Sequence, residues 1–358
     1  MPKTLADTLH FKLAQLLRAD VGKMKVGDPL PTVLELKQKF QCSQATVERA
    51  IDRLRREGLV VRPLGTLRLT VAHASDPATF RVAMIRPDYP SPTFEELSRV
   101  IIEAGKRRNW AFDLETYRTL SSLDLAKAMG DNDGAILLPM SERFPDHLLV
   151  ALRRPNRPVV IIQDPPEGVR VSSVRIDDEE VGRLAVEHLA ALGHRRILLL
   201  LSEPPAPSGQ YRSEGWRRTM ETIGERNLDE LVVDPRVRPF DNSMLSTYEF
   251  FTQFLRQAHA PFTAVFCPAC TGAVAALRAL REAGISVPRD VSVVAHGGEG
   301  YLSPFLFPSL TAVETDITSY AEKIVELLEM QLLRTGDTQN LTVASKLIQR
   351  ETTAKVRR

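Results

Sequence analysis

From residue 80 onward, short apolar runs alternate with amphipathic stretches, and this alternation restricts the chain to a small set of folds. RVAMIRP, AFDLETY, GAILLP and RPVVIIQD read as strands, separated by the helical patterns SPTFEELSRVIIEAGKRRNW, DLAKAMGDN and DHLLVALRR. The alternation then starts again. DDEEVGRLAVEHLAALGH is a helix with an acidic first turn and Gly193 at its end. RRILLLL, LVVDPRV, TAVFCP and DVSVVAH follow as strands, interleaved with GQYRSEGWRRTMETIGER, SMLSTYEFFTQFLRQ and GAVAALRALREAG as helices. Apolar strands joined by amphipathic helices form parallel sheets covered on both faces. The pattern predicts an α/β body of two successive lobes, and small ligands bind such lobes outside the carboxyl ends of the strands.

The first 75 residues follow another rule. They hold 13 Lys+Arg against 7 Asp+Glu in a chain whose net charge is only +2, so a basic head precedes a mildly acidic body. That asymmetry points to an anionic partner for the head. Leu5, Leu9, Leu13 and Leu16 recur at steps of four and three, which predicts a first helix over about residues 4 to 19 with that stripe facing inward. Gly27, Pro29 and Pro31 interrupt the chain, Thr32 caps a second short helix running to Phe40, and Ser43 caps a third. Val47, Ala50, Ile51 and Leu54 form the buried stripe of that third helix; its other face carries Gln44, Thr46, Arg49, Arg53 and Arg56. Gly58 ends it, and LVVRPLGTLRLTV reads as two short strands around a Pro/Gly turn. Helix, helix, turn, helix and wing is the winged helix-turn-helix plan. It places the third helix in a major groove, with the wing and basic side chains on phosphates.

At 358 residues the chain accommodates more than one domain: a head over 1–71, a linker over 72–79 and a two-lobed body over 80–358. No apolar run approaches the roughly 20 residues that a bilayer requires, and the first residues lack a signal-peptide core. A cytoplasmic protein without a membrane partner is expected. Three cysteines cannot build a disulfide framework. Cys267 and Cys270 stand in a C-x-x-C spacing that suits a redox pair or half a zinc site, yet supplies only two of the four ligands of structural zinc. No G-x-S-x-G elbow, H-E-x-x-H helix or P-loop occurs. The expectation is a non-enzyme without cofactor or metal, with a Cys267/Cys270 switch as the alternative.

The head resembles the GntR family of bacterial winged-helix regulators through G-D-P-L-P at 27–31, S-Q-A-T-V at 43–47, A-I-D-R-L-R-R-E-G-L-V at 50–60 and G-T at 65–66. The resemblance implies contacts with double-stranded operator DNA from Ser43, Gln44, Thr46, Arg49, Gly65 and Thr66, to which Thr32, Arg53 and Arg62 are added. Gln44, Glu48 and Leu34 stand where the family commonly has arginine. That departure implies an altered operator preference.

The body resembles the effector domain of the LacI/GalR family, itself similar to type I periplasmic sugar-binding proteins. The resemblance runs through DNDGAILLP, RPVVIIQD, VSSVRIDDEEVGRLAVEHLAALGHRRI, YRSEGW, REAGISVPRDVSVVAH, SLTAVETD and KLIQRETT. It implies a homodimeric repressor with a small-molecule effector and places Thr93, Phe94, Asp164, Arg212, Cys270 and His296 at the effector cleft. Arg212 matches the arginine that binds a ligand's hydroxyls or carboxylate. Ala269 and Cys270 stand where the family has Asn-Asp, and Ala295, His296, Gly297 and Gly298 stand where a Gly-aromatic-acidic sequence is usual. An acceptor-poor cleft follows, with a sugar, a sugar acid or another anion as candidate effector and the lack of any small-molecule effector as the alternative.

Overall fold

The computed structural model describes residues 5–62, 68–71, 79–89, 91–140, 143–257, 261–298, 300 and 302–357. They fall into two compact units. One contains the described residues up to Val82 together with Gly105–Asp113 and Met129–Asp133; the other contains Ala83–Ala104, Leu114–Ala128 and everything from Gly134 onward.

The first unit begins with helices α1 (Leu5–Val21), α2 (Val33–Phe40) and α3 (Gln44–Arg56), then strands β1 (Val60–Val61) and β2 (Thr70–Val71). Thr32 and Glu35 close a reciprocal capping box on α2, and the Ser43 side chain accepts from the Thr46 amide at the start of α3. β1 and β2 pair antiparallel with Val60 opposite Val71. Gly-Asp-Pro-Leu-Pro adds a third edge to this wing: Leu30 N–H donates to Leu69 O at 2.8 Å and Val71 N–H to Asp28 O at 3.0 Å.

The inward face of α1 differs from the predicted stripe. Leu13, Ala14, Leu17 and Val21 are buried with Val47, Ala50, Ile51 and Leu54 of α3, whereas Leu9 is 40% and Leu16 53% exposed. Several leucines in a short helix define more than one candidate stripe. The one that buries is chosen by the helix packed against it.

The next elements are β3 (Phe80–Pro87), α4 (Pro92–Lys106), β4 (Trp110–Tyr117), α5 (Leu125–Met129), β5 (Gly134–Leu137), α6 (Asp146–Arg153), β6 (Val159–Ile162) and β7 (Ser172–Ile176). Then come α7 (Asp178–Ala191), β8 (Ile197–Leu200), α8 (Pro207–Thr222), β9 (Val232–Val233), α9 (Ser243–Arg256), β10 (Ala264–Cys267), α10 (Cys270–Glu282), β11 (Ser292–His296) and β12 (Thr311–Thr315). The chain closes with α11 (Ile317–Leu332), β13 (Asn340–Val343) and β14 (Ser345–Ile348).

Two six-stranded sheets result, ordered β13-β7-β6-β5-β3-β4 and β14-β12-β11-β10-β8-β9. The β5–β6, β6–β7 and β7–β13 pairs are parallel, as are β9–β8, β8–β10, β10–β11 and β11–β12; β14 runs antiparallel to β12. The lobes are therefore interleaved rather than successive, because α11 and β13 return to the first sheet and β14 to the second. Trp216, Phe251 and Phe266 are fully buried in the second lobe.

Candidate functional site

In the head, the exposed surface of α3 carries Gln44, Ala45, Glu48, Arg49, Asp52 and Arg55. Ser43 and Arg62 are exposed beside it, and Gly65 and Thr66 lie outside the described residues. Thr32 is half-buried, its hydroxyl held in the α2 capping box. Two expectations are corrected here. Thr46 is 4% exposed, its hydroxyl 2.8 Å from that of Ser43, so it completes the cap instead of facing outward.

Arg53 is also 4% exposed. Its Nε donates to Glu57 at 3.1 Å and a terminal nitrogen to Asp133 at 3.0 Å, while Glu57 also accepts from buried Arg18 at 2.5 and 3.1 Å. Asp133 is held in turn by the Arg81 amide at 2.8 Å. Two guanidinium groups and two carboxylates thus alternate in a buried row, which removes Arg53 from any external surface.

In the body, the site begins with two glycines. A Cβ on Gly182 of α7 would lie 2.1 Å from Arg212 O, and one on Gly215 of α8 would lie 2.0 Å from Glu179 O. Only glycine lets α7 and α8 touch backbone to backbone, and that contact sets Arg212 against Asp178. Arg212 Nε donates to Asp178 Oδ1 at 2.7 Å and Nη1 donates to Pro268 O at 2.8 Å. Burial pushes the Asp178 carboxyl up from its ordinary value, opposed by the charges of Arg212 and Arg175. Asp164, at the end of β6, is exposed and pairs with Arg175 at 3.2 Å.

A second polar group spans the lobes. Glu203, just past β8, accepts from Thr271 Oγ1 at 2.5 Å, Ser243 Oγ at 2.9 Å and Tyr89 OH at 3.4 Å. Tyr89 comes from the other lobe, just past β3; its hydroxyl lies 2.9 Å from Ser243 Oγ. Its ring meets Phe94 at 6.2 Å and Phe240 at 5.9 Å, and Arg118 lies over Phe240 at 5.1 Å. Burial raises the Glu203 carboxyl above its ordinary value; the three hydroxyl groups and Arg212 pull the other way. All these residues lie beyond the carboxyl ends of strands.

The altered positions stand beside a carboxylate that the sequence analysis did not single out. Ala269 and Cys270 carry no carboxylate, but Glu203 supplies one from the neighbouring strand. Sequence reasoning passed over Glu203, Tyr89, Ser243 and Thr271. A usable signal existed for two of them, since Tyr89 and Glu203 each directly follow an apolar strand whose carboxyl end should face the cleft.

Thr93 is exposed at the start of α4 and Phe94 is half-buried against Tyr89. Cys270 and His296 are buried below the cleft; His296 Nδ1 is 3.0 Å from Val313 O, so that nitrogen carries the proton and donates. Burial, and then the charge of Arg212, hold His296 well below its ordinary value. Gly298 lets the following loop lie against Cys270, because a Cβ there would be 3.3 Å from the Cys270 Cβ and 2.5 Å from Ser303 Oγ. Cys267 and Cys270 are buried and form no disulfide, and burial pushes the Cys267 thiol far up, the reverse of what an activated thiolate requires. Among the described residues no three His, Cys, Asp or Glu side chains form a metal-binding group. No helix among the described residues is long and apolar enough to cross a membrane.

Comparison with known proteins agrees with this geometry. Residues 9–65 match the family described as bacterial regulatory proteins, gntR family, and residues 186–353 match the periplasmic binding protein-like domain. The chain is 26% identical over 302 residues to the HTH-type transcriptional regulator MalR of Streptomyces coelicolor, covering 80% of this chain and 86% of that protein. It is 24% identical over 311 residues to the HTH-type transcriptional repressor PurR of Pasteurella multocida, covering 84% and 91%. A LacI family transcriptional regulator from Enterococcus faecium with bound ribose shares its fold at TM-score 0.66 and 24% identity, over 77% of this chain and all of that one. A winged head and a two-lobed cleft in one chain define a DNA-binding transcriptional regulator. Its head matches the gntR-family model and its body the periplasmic binding protein-like model.

Proposed function

We propose that this protein is a cytoplasmic repressor acting as a homodimer, with a head over 1–71 joined through 72–79 to a sensor over 80–358, and that it regulates transcription rather than catalysing a reaction. Two heads would bind two-fold-related half-sites of a double-stranded operator, multiplying the affinity of each. Ser43, Gln44, Arg49 and Arg62 are its DNA-facing residues. Exposed Phe305 and Phe307, at 75% and 91%, support contact with a second copy. The repressor name of the Pasteurella relative supports the sign of regulation.

The observation that carries the sensor reading is the convergence of Tyr89, Asp178, Glu203, Arg212, Ser243 and Thr271 from both lobes. The charge of Arg212 is already offset by Asp178, and Glu203 adds a carboxylate without an ion-pair partner among the described residues. That balance favours an uncharged polyhydroxyl ligand, such as a sugar, over a sugar acid or another anion. The ribose bound by the Enterococcus protein supports the same class. A ligand acts by binding one lobe arrangement better than another, which alters the spacing of the heads.

A thermal-shift screen of neutral sugars and sugar acids, followed by gel-shift titration with each hit, tests this reading. A neutral sugar at 100 times its Kd should stabilise the protein by about 2.7 kcal/mol and move the DNA-binding midpoint. A screen in which only acids bind refutes the ligand class. One in which nothing changes stability or DNA binding refutes effector control altogether.

A further inference from the structure

The described side chains on the exposed face of α3 are balanced in charge. Its described charged side chains are Glu48, Arg49, Asp52 and Arg55, two of each sign, and Arg55 lies 3.5 Å from Asp52. Glu48 is exposed, one turn beyond Gln44, whose Nε2 donates to Glu48 Oε1 at 2.8 Å. Among the described residues Glu48 makes no ion pair. The bond to Gln44 fixes the carboxylate on the half of the helix nearest its N-terminus, the half that reaches base edges in a helix-turn-helix complex.

A carboxylate brought to DNA is repelled by phosphates and loses its hydration, so it is tolerated only where a donor meets it. In the major groove the exocyclic amino donors are cytosine N4 and adenine N6. Adenine N6 is flanked by acceptors on both sides, its own N7 and thymine O4, whose lone pairs oppose the second carboxylate oxygen; cytosine N4 has an acceptor, guanine O6, on one side only. We propose that Glu48 is a base-reading residue whose carboxylate accepts from cytosine N4, making a C·G pair in each operator half-site a determinant of specificity. Gln44, fastened to Glu48 through one N–H, keeps its carbonyl oxygen and its other N–H for a neighbouring base. This assignment rests on the reading that α3 enters the major groove.

The test enriches binding sites from a random duplex pool with the full-length chain, Glu48→Gln and Glu48→Ala. The wild-type pool should contain one C·G position per half-site that becomes random with Glu48→Ala and shifts toward adenine with Glu48→Gln. Changing that pair to T·A in a single probe should weaken wild-type binding about tenfold and Glu48→Ala less than about twofold. Glu48 is exposed and lies outside the core, so both variants should fold; circular dichroism checks this. Identical consensus sequences for wild type and Glu48→Ala overturn the assignment. Uniformly tighter binding of every probe by Glu48→Ala also overturns it, since Glu48 would then only repel phosphate. A wild-type pool with no enrichment refutes operator binding itself, and the assignment falls with it.

Discussion

Arg53 in the head and Arg212 in the cleft are both held by a carboxylate from another element, but they sit at different depths. The Arg53–Asp133 pair is sealed, with side chains 4% and 5% exposed, inside a row that continues through Glu57 to Arg18. The Arg212–Asp178 pair, at 14% and 10%, is less completely sealed. Full burial makes the first pair a clamp between elements, because its charges have no route to water or ligand. Partial burial leaves the second within reach of solvent while its own charge is already balanced.

Breaking the clamp should have the largest effect. Asp133→Ala leaves Arg53 buried without that partner and should cost about 3–5 kcal/mol in urea unfolding. Pairing Arg53→Met with Asp133→Leu should cost clearly less than the sum of the single changes, since matched apolar groups replace a buried pair at little loss. If the two single changes simply add, the row is not a coupled unit. Asp178→Asn should cost about 1.5–3 kcal/mol and also abolish the ligand-induced shift in gel retardation. Loss of stability with the ligand response intact would place Arg212 alongside Arg53 as a purely structural group.

The exposed side of α3 provides the contrast to both pairs. Arg49→Ala should leave stability within about 0.5 kcal/mol, weaken operator binding roughly tenfold and lower the salt dependence by about one ion. An unchanged affinity would show that the exposed arginine does not touch DNA.

The smallest effect is a pH dependence at Glu203. Its folded value is raised, so the protonated form is favoured on folding; that stability is full below the ordinary carboxylate range and is lost as pH rises through the raised value. Glu203→Gln should therefore raise Tm relative to wild type at pH 8, with the difference shrinking toward pH 4. A difference that stays constant with pH would mean that Glu203 titrates normally.

The α/β alternation, the winged head, and the caps at Thr32 and Ser43 were all legible in the sequence, because each depends on residues within a few positions of one another. The buried stripe of α1 was misread since its partner, α3, decides which leucines turn inward. The sites depend on longer connections still: Arg53 meets Asp133 across 80 positions and Tyr89 meets Ser243 across 154. No local pattern shows that an arginine on a polar helix face will be buried, or that a tyrosine and a glutamate at two strand ends will meet.

By itself the sequence determined the α/β alternation, that the head is basic, and which motif residues resemble known regulators, because period, capping and charge are local properties. Only the tertiary structure decided which arginines remain exposed, that Glu203 gathers hydroxyl groups from both lobes, and that β13 and β14 return to different lobes. Those outcomes are set by which distant side chain satisfies each buried charge, and that follows from how the chain packs.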